Sequence, residues 1–91
     1  MEFEWDIEKD QLNQKKHRIS FEEAADIFRY PTYEIVDDRV DHGETRYIAI
    51  GNNSQMTILT VVYTEREGRI RLISARRANK QERKLYYDYC T

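Results

Sequence analysis

Two short connections in the second half of the chain leave little freedom of topology. Gly51-Asn52-Asn53-Ser54 and Glu65-Arg66-Glu67-Gly68 each separate runs of strand-forming residues. Both are too brief to carry a crossover helix, so the runs they join must meet as antiparallel neighbours. Those runs are Arg46 to Gly51, with Ile48 and Ile50 on one face, Met56 to Thr64, and Arg69 to Ala78. Met56 to Thr64 is β-branched or aromatic at most positions, which suits a central strand. Tyr33-Glu34-Ile35-Val36 supplies a fourth, shorter strand.

Three helix signals surround this centre. Asp6 is placed to cap a helix from Ile7 to Lys16, with Glu8 and Asp10 in its first turn and Lys15, Lys16 and His17 at its end. That order complements the helix dipole at both ends. Ser20-Phe21-Glu22-Glu23 reads as a capping box, and Phe21, Ala24, Ala25 and Phe28 follow the spacing of a buried helical face until Pro31 stops it. A third helix opens at Asn79, with Glu82 three residues on and Leu85, Tyr86 and Tyr89 as its apolar face. The expectation is one α+β domain over residues 1–91, a small four-stranded antiparallel sheet flanked by helices in the order ααββββα. One sheet face then meets helices and the other is open to carry function.

Composition narrows the class. No apolar run approaches the roughly 20 residues that span a bilayer, which excludes a helical membrane protein. The start, Met1-Glu2-Phe3-Glu4-Trp5-Asp6, is acidic where a secretory signal begins basic. Cys90 is the single cysteine, in keeping with a cytoplasmic protein that needs no disulfide. Net charge is −2, yet residues 1–45 carry 13 acidic and 6 basic side chains while residues 46–91 carry 4 and 9. Seven of those nine are Arg, concentrated from Arg66 to Arg83, which points to one face built for an anionic partner.

The fourth strand, Arg69-Ile70-Arg71-Leu72-Ile73-Ser74-Ala75-Arg76-Arg77, alternates imperfectly. Strict alternation puts Ile70, Leu72, Ser74 and Arg76 on one side and Arg69, Arg71, Ile73, Ala75 and Arg77 on the other. Arg76 and Arg77 then splay apart just before a helix that adds Lys80, Arg83 and Lys84. Arg grips phosphate bidentately, so this stretch suits a polyanion, although pairing with Glu65, Glu67 and Glu82 would also account for it. Glu44 and Arg46, two apart on a strand, point to one face and fit either a general base with a transition-state cation or an ordinary ion pair. His17 lies where the helix dipole favours its protonated form, and helix capping is the commoner role there. His42 reads as a turn residue. One Cys and two distant His give no metal-ligand spacing, and no Gly-rich phosphate loop or nucleophile elbow is present, so no metal or cofactor is expected.

The ordered set of segments adds a family. Phe3-Glu4-Trp5-Asp6, Lys9, Asn13, Lys16-His17 and Ser20-Phe21-Glu22-Glu23-Ala24 resemble the start of BrnT-family proteins. Glu44-Thr45-Arg46-Tyr47, Ile50-Gly51, Val61-Val62-Tyr63-Thr64-Glu65-Arg66, Ile70 to Ala78 and Glu82-Arg83 continue the resemblance over essentially the whole chain. It implies the toxin half of a type II toxin–antitoxin pair, with a RelE-like fold and ribonuclease activity. It also implies a BrnA-type antitoxin partner with a ribbon-helix-helix DNA-binding part, which contacts operator DNA for the pair and represses their operon. There are two departures. Arg18 stands where the family often has Gly after Lys-His, at a position expected to need a left-handed conformation at about 1 kcal/mol. The acidic stretch Asp37-Asp38-Arg39-Val40-Asp41 lowers the net charge for an RNA-binding protein.

Metal-independent RNA cleavage needs a base for the 2′-hydroxyl, an acid for the leaving 5′-oxygen and cations for the phosphorane. On the positions that match the family, the resemblance implies Arg46, Arg76 and Arg77 as cations and Glu44 or His17 as the base. Arg77, Lys80 and Arg83 are then expected to hold the RNA backbone.

Overall fold

The computed structural model describes residues 1–39 and 43–91; His42 and the Val40-Asp41 end of the acidic stretch lie outside the described residues. The chain runs β1 (Glu2–Glu4), α1 (Ile7–His17), α2 (Phe21–Ala25) continuing into a 3-10 turn (Asp26–Arg29), β2 (Thr32–Asp37), β3 (Arg46–Asn52), β4 (Ile58–Arg66), β5 (Arg69–Arg77) and α3 (Lys80–Cys90). All the strands form one sheet of order β1-β5-β4-β3-β2. The β3–β4 and β4–β5 pairings are antiparallel, as the two short connections require, and the β2–β3 pairing is antiparallel too.

The fifth strand corrects the expected architecture. β1 lies parallel to β5, with Glu2 opposite Arg69, Phe3 opposite Ile70 and Glu4 opposite Arg71, so the sheet is five-stranded and mixed, not four-stranded and antiparallel. A three-residue strand holding one apolar side chain has no period to read. Its register comes from charge and from Phe3. Glu2 pairs with Arg69 at 3.1 Å and Glu4 with Arg71 at 2.7 Å, while Phe3 reaches the core against Phe28.

The helix ends form as their sequences dictate. The Asp6 carboxylate accepts from the amides of Glu8 and Lys9, and Ser20–Glu23 and Asn79–Glu82 both close capping boxes. Arg18 ends α1 with φ 59° and ψ 31°, the left-handed conformation expected there, and its amide donates to the Gln14 carbonyl.

The sheet's two faces differ. On the first, Ala49, Leu59, Val61, Tyr63, Leu72 and Ala75 pack under Ile19, Phe21, Ala24 and Ile27. Gly51 lets the 3-10 turn come close, since a Cβ there would lie 2.8 Å from Thr32 Cγ2 and 3.1 Å from Ile27 Cβ. On the second, α3 sets Tyr86, Leu85 and Cys90 with Ala78 against Ile50, Ile58, Ile48 and Tyr33.

A bulge decides which arginines share the second face. Val62 pairs with Ser74 but Tyr63 pairs with Leu72, which leaves Ile73 as an extra residue in β5. Beyond it the side chains reverse, so strict alternation fails. Ile70 and Leu72 share a face with Ala75 and Arg77, whereas Arg69 and Arg71 share the other with Ser74 and Arg76. Arg76 and Arg77 do diverge to opposite faces.

Two residues past the bulge, α1 clamps β5. The buried Asn13 amide donates from Nδ2 to the Ala75 and Ile19 carbonyls at 2.8 Å each, and its Oδ1 accepts from the Ala75 amide at 3.1 Å. It therefore does for Ala75 what β1 does for residues 69–71, covering an otherwise unpaired strand edge. Three residues earlier in α1, Asp10 accepts from the Phe21 amide at 2.8 Å and fixes α2 to the same helix.

α3 is tied to the sheet by Glu82. Its carboxylate accepts from Arg76 Nη1 and Nη2 at 2.7 and 2.8 Å, from Thr60 Oγ1 at 3.0 Å and from the Asn79 amide at 2.9 Å. Burial pushes this carboxyl up, but the Arg76, Asn79 and Thr60 hydrogen bonds outweigh it and hold Glu82 below the ordinary carboxylate range.

Two measurements check these attachments. Asn13→Ala leaves the Ala75 amide and two buried carbonyls without partners and should cost about 2–4 kcal/mol, a large share of a typical stability of about 5–15 kcal/mol. Urea unfolding of that variant with a midpoint equal to wild type would rule the clamp out. Because Glu82 is more acidic folded than unfolded, its contribution is complete above the unfolded pKa of about 4.3 and disappears as pH falls through the lower folded value. Acid titration of stability should therefore fall more gently below that pH in Glu82→Gln than in wild type. Equal slopes would remove Glu82 from the acid response.

Candidate functional site

The second face beyond α3 collects charge. Arg46 on β3, Arg66 on β4 and Arg69, Arg71 and Arg76 on β5 share it, by the register of the three strands. α3 packs on β2 and β3 and leaves the stretch between Arg46, Thr64 and Arg71 without a helix over it. The floor is made of Val62, Ser74 and the buried Thr64, whose hydroxyl donates to the Thr45 carbonyl at 2.6 Å. The result is a face on which guanidinium groups stand around a small floor of mixed character.

Each arginine on this face has a carboxylate nearby. Glu44 lies 3.9 Å from Arg46 and 3.2 Å from Arg66, so one carboxylate stands between two guanidinium groups. Arg69 also approaches Glu4 at 3.7 Å, in addition to Glu2. Arg76 is held bidentately by Glu82, and that hydrogen bond raises its pKa further above the usual arginine value. Arg46 differs from the others. Its Nε is buried and has no hydrogen-bond partner among the described residues, and its contact with the Glu44 carboxylate is a long one. An unsatisfied buried donor of a charged group is costly, and it marks where an incoming acceptor gains most.

The sequence-selected residues divide among three places. Arg46 and Arg76 lie on the second face by strand register, and Glu44, expected on a strand, stands in the bend before β3 and reaches that face through Arg46 and Arg66. His17 closes α1, the helix that clamps the β5 edge, and is half-buried there; among the described residues no hydrogen bond or ion pair joins it to Glu44. Arg77 is exposed and lies on the first-face side, opposite Leu59. Lys80 and Arg83 are exposed on α3, and Arg83 Nη1 donates to the Ala78 carbonyl at 2.8 Å.

Sequence reasoning missed Arg39. It follows β2, is held bidentately by Asp37 at 2.8 and 2.9 Å, and comes near enough to Glu82 and Arg76 for their charges to act on one another. In sequence it is one cation inside an acidic run, and nothing local links it to Arg76 or Glu82. Among the described residues no cluster of His, Cys, Asp and Glu could hold a metal ion, and no helix is long and apolar enough to cross a membrane. Burial pushes the Cys90 thiol up, away from a reactive thiolate.

Set against known proteins, the chain finds both a family and a fold. Residues 5–82 match the family model described as ribonuclease toxin, BrnT, of type II toxin–antitoxin system. The crystal structure of the Brucella abortus ribonuclease toxin BrnT superposes with a TM-score of 0.65 and 24% identity, over 88% of this chain and 99% of that one. At that identity the likeness is one of fold. No curated protein matches the chain. The family model takes in every element from α1 through β5 and the start of α3, and on that match the chain belongs to the BrnT family of type II toxin–antitoxin ribonuclease toxins.

Proposed function

We propose that the chain is a metal-independent, RelE-like endoribonuclease whose substrate lies on the second face of the sheet. The observation that carries this reading is the Glu44 carboxylate set between Arg46 and Arg66, beside the unsatisfied Arg46 Nε. Glu44 is then the base for the 2′-hydroxyl, in preference to His17, which ends α1, a helix that packs chiefly on β5, whereas Glu44 meets Arg46 and Arg66 directly. Arg46 and Arg76 face the phosphorane as its negative charge grows. A prepositioned donor of this kind contributes about 10²–10³ in rate. Arg76 is prepositioned in that sense, because Glu82 fixes its guanidinium and Thr60 and Asn79 fix Glu82. Arg77, Lys80 and Arg83 hold flanking RNA beyond the face.

The reading includes a cytoplasmic setting and a BrnA-type ribbon-helix-helix antitoxin. That partner silences the toxin by covering the second face, and alone contacts operator DNA when the pair represses its operon. A second reading has one observation in its favour. Arg66, Arg69, Arg71 and Arg76 all meet carboxylates of their own chain, as a non-catalytic module that only pairs with its antitoxin would allow.

Induced expression separates the two. A toxin arrests growth, the co-expressed antitoxin relieves the arrest, and RNA end mapping shows new cleavage ends. Arg46→Ala should lower cleavage by about a hundredfold or more while antitoxin binding persists, and purified activity should survive EDTA. Growth without arrest or new ends would select the non-catalytic module, and activity lost to chelation and restored by a divalent ion would overturn the metal-free mechanism.

A further inference from the structure

α3 presents a second charged surface on its side away from the sheet. Lys80, Arg83, Lys84 and Tyr87 follow the i, i+3, i+4, i+7 spacing that puts residues on one helical face. With Gln81 they line one shallow groove. Its floor is apolar, made of the aliphatic stems of the cations and the Tyr87 ring, and its rim is cationic.

This surface differs in kind from the second face of the sheet. There every arginine meets a glutamate. Here Lys80 and Arg83 have no carboxylate partner among the described residues, and Lys84 alone is paired, with Asp88 at 2.8 Å. Tyr87 is 56% exposed although it is large and aromatic. It does not hang loose, because its ring meets the buried Tyr86 edge-on, with centroids 5.6 Å apart and planes at 72°. The Thr91 hydroxyl donates to the Tyr87 carbonyl at 2.6 Å and closes the helix beneath it. The ring is thus braced at one edge.

Resting on the ribonuclease reading above, we propose that this face of α3 is a track for single-stranded RNA. Tyr87 stacks on an unpaired base, and Lys80, Arg83 and Lys84 hold the phosphates on either side. The chemistry selects the single strand, since duplex RNA keeps its bases stacked inside and offers a tyrosine ring nothing to stack on. It also disfavours a protein segment. An amphipathic helix docks through several apolar anchors, and this groove offers one aromatic ring among four polar side chains. From Lys80 to Tyr87 the helix rises about 10 Å, enough to follow a short stretch of extended strand. Substrate then runs from the open sheet face, past the start of α3, and along its outer side.

The test measures affinity for a fluorescent 2′-O-methyl RNA strand, which binds but cannot be cut, and for an RNA hairpin stem. Tyr87→Ala should weaken single-strand binding by about tenfold, within the range of one lost base stack, and leave the stem unaffected. Tyr87→Phe, which keeps the ring, should stay close to wild type. The Lys80→Ala/Arg83→Ala/Lys84→Ala variant should lower the slope of log affinity against log salt by about 2, as expected for three single-strand phosphate contacts. Wild-type single-strand affinity in Tyr87→Ala, or an equal loss on the stem, would overturn the proposal. So would a triple variant that keeps its RNA affinity and loses only antitoxin binding, which would give this face to the antitoxin. A wild-type chain that binds no RNA would defeat the ribonuclease reading and the track together. Binding and cleavage that ignore every α3 variant would defeat the track alone.

Discussion

The Asn13 amide is the interaction on which the rest of the structure depends. It satisfies both backbone groups of Ala75, on the edge of β5 that β1 is too short to cover, and at the same time ties down the Ile19 carbonyl at the entry to α2. One buried side chain therefore joins α1, the start of α2 and the sheet. Its place matters because Ala75 lies two residues beyond the bulge at Ile73. A one-residue slip in a strand sends every side chain to the other face, and a clamp just past the extra residue resists that slip.

The functional consequence is electrostatic. Without the extra residue, Arg69 and Arg71 would face the helices where Arg77 now does, and Arg76 would be the one β5 arginine left on the other side. With it, the three join Arg46 and Arg66 on one face. Carboxylates come to the same place: Glu2 and Glu4 from β1, Glu44 from the entry to β3 and Glu82 from α3. The acidic first half and basic second half of the chain are thus largely folded onto each other. Arg46 Nε is left without a hydrogen-bond partner, and on the outer side of α3 Lys80 and Arg83 meet no carboxylate among the described residues; the sharpest functional readings rest on these.

The legible parts of the sequence were those with local causes. Asp6, Ser20 with Glu23, and Asn79 with Glu82 announced helix starts because a cap is made within a few residues. The two short connections announced antiparallel pairing for the same reason, and Glu67 and Gly68 both adopt the positive φ that a tight hairpin asks of its central residues. Arg18 announced a left-handed helix end by standing where glycine is expected. β1 was not legible, because its register is set by Arg69 and Arg71, far along the chain. The bulge left only a trace, in the imperfect alternation of β5. At the site, the nearness of Glu44 and Arg46 was legible from their spacing, although Glu44 stands in the bend before β3 and not on the strand. Pairing of this arginine stretch with Glu82 was among the readings, though not that Arg76 would be the residue gripped; Arg39 was missed, since its place depends on how the strands and α3 come together.

The central claim is that the bulged register gathers the arginines on one face and that this face receives the RNA. It is tested most directly by titrating an uncleavable oligoribonucleotide into the protein while following arginine Nε–H resonances by NMR. The account predicts that Arg46, Arg71 and Arg76 shift together, Arg46 most strongly as its Nε gains an acceptor, while Arg18 and Arg29 in the helix layer stay in place. Shifts confined to Arg18 and Arg29, with the second-face arginines unmoved at saturation, would contradict it.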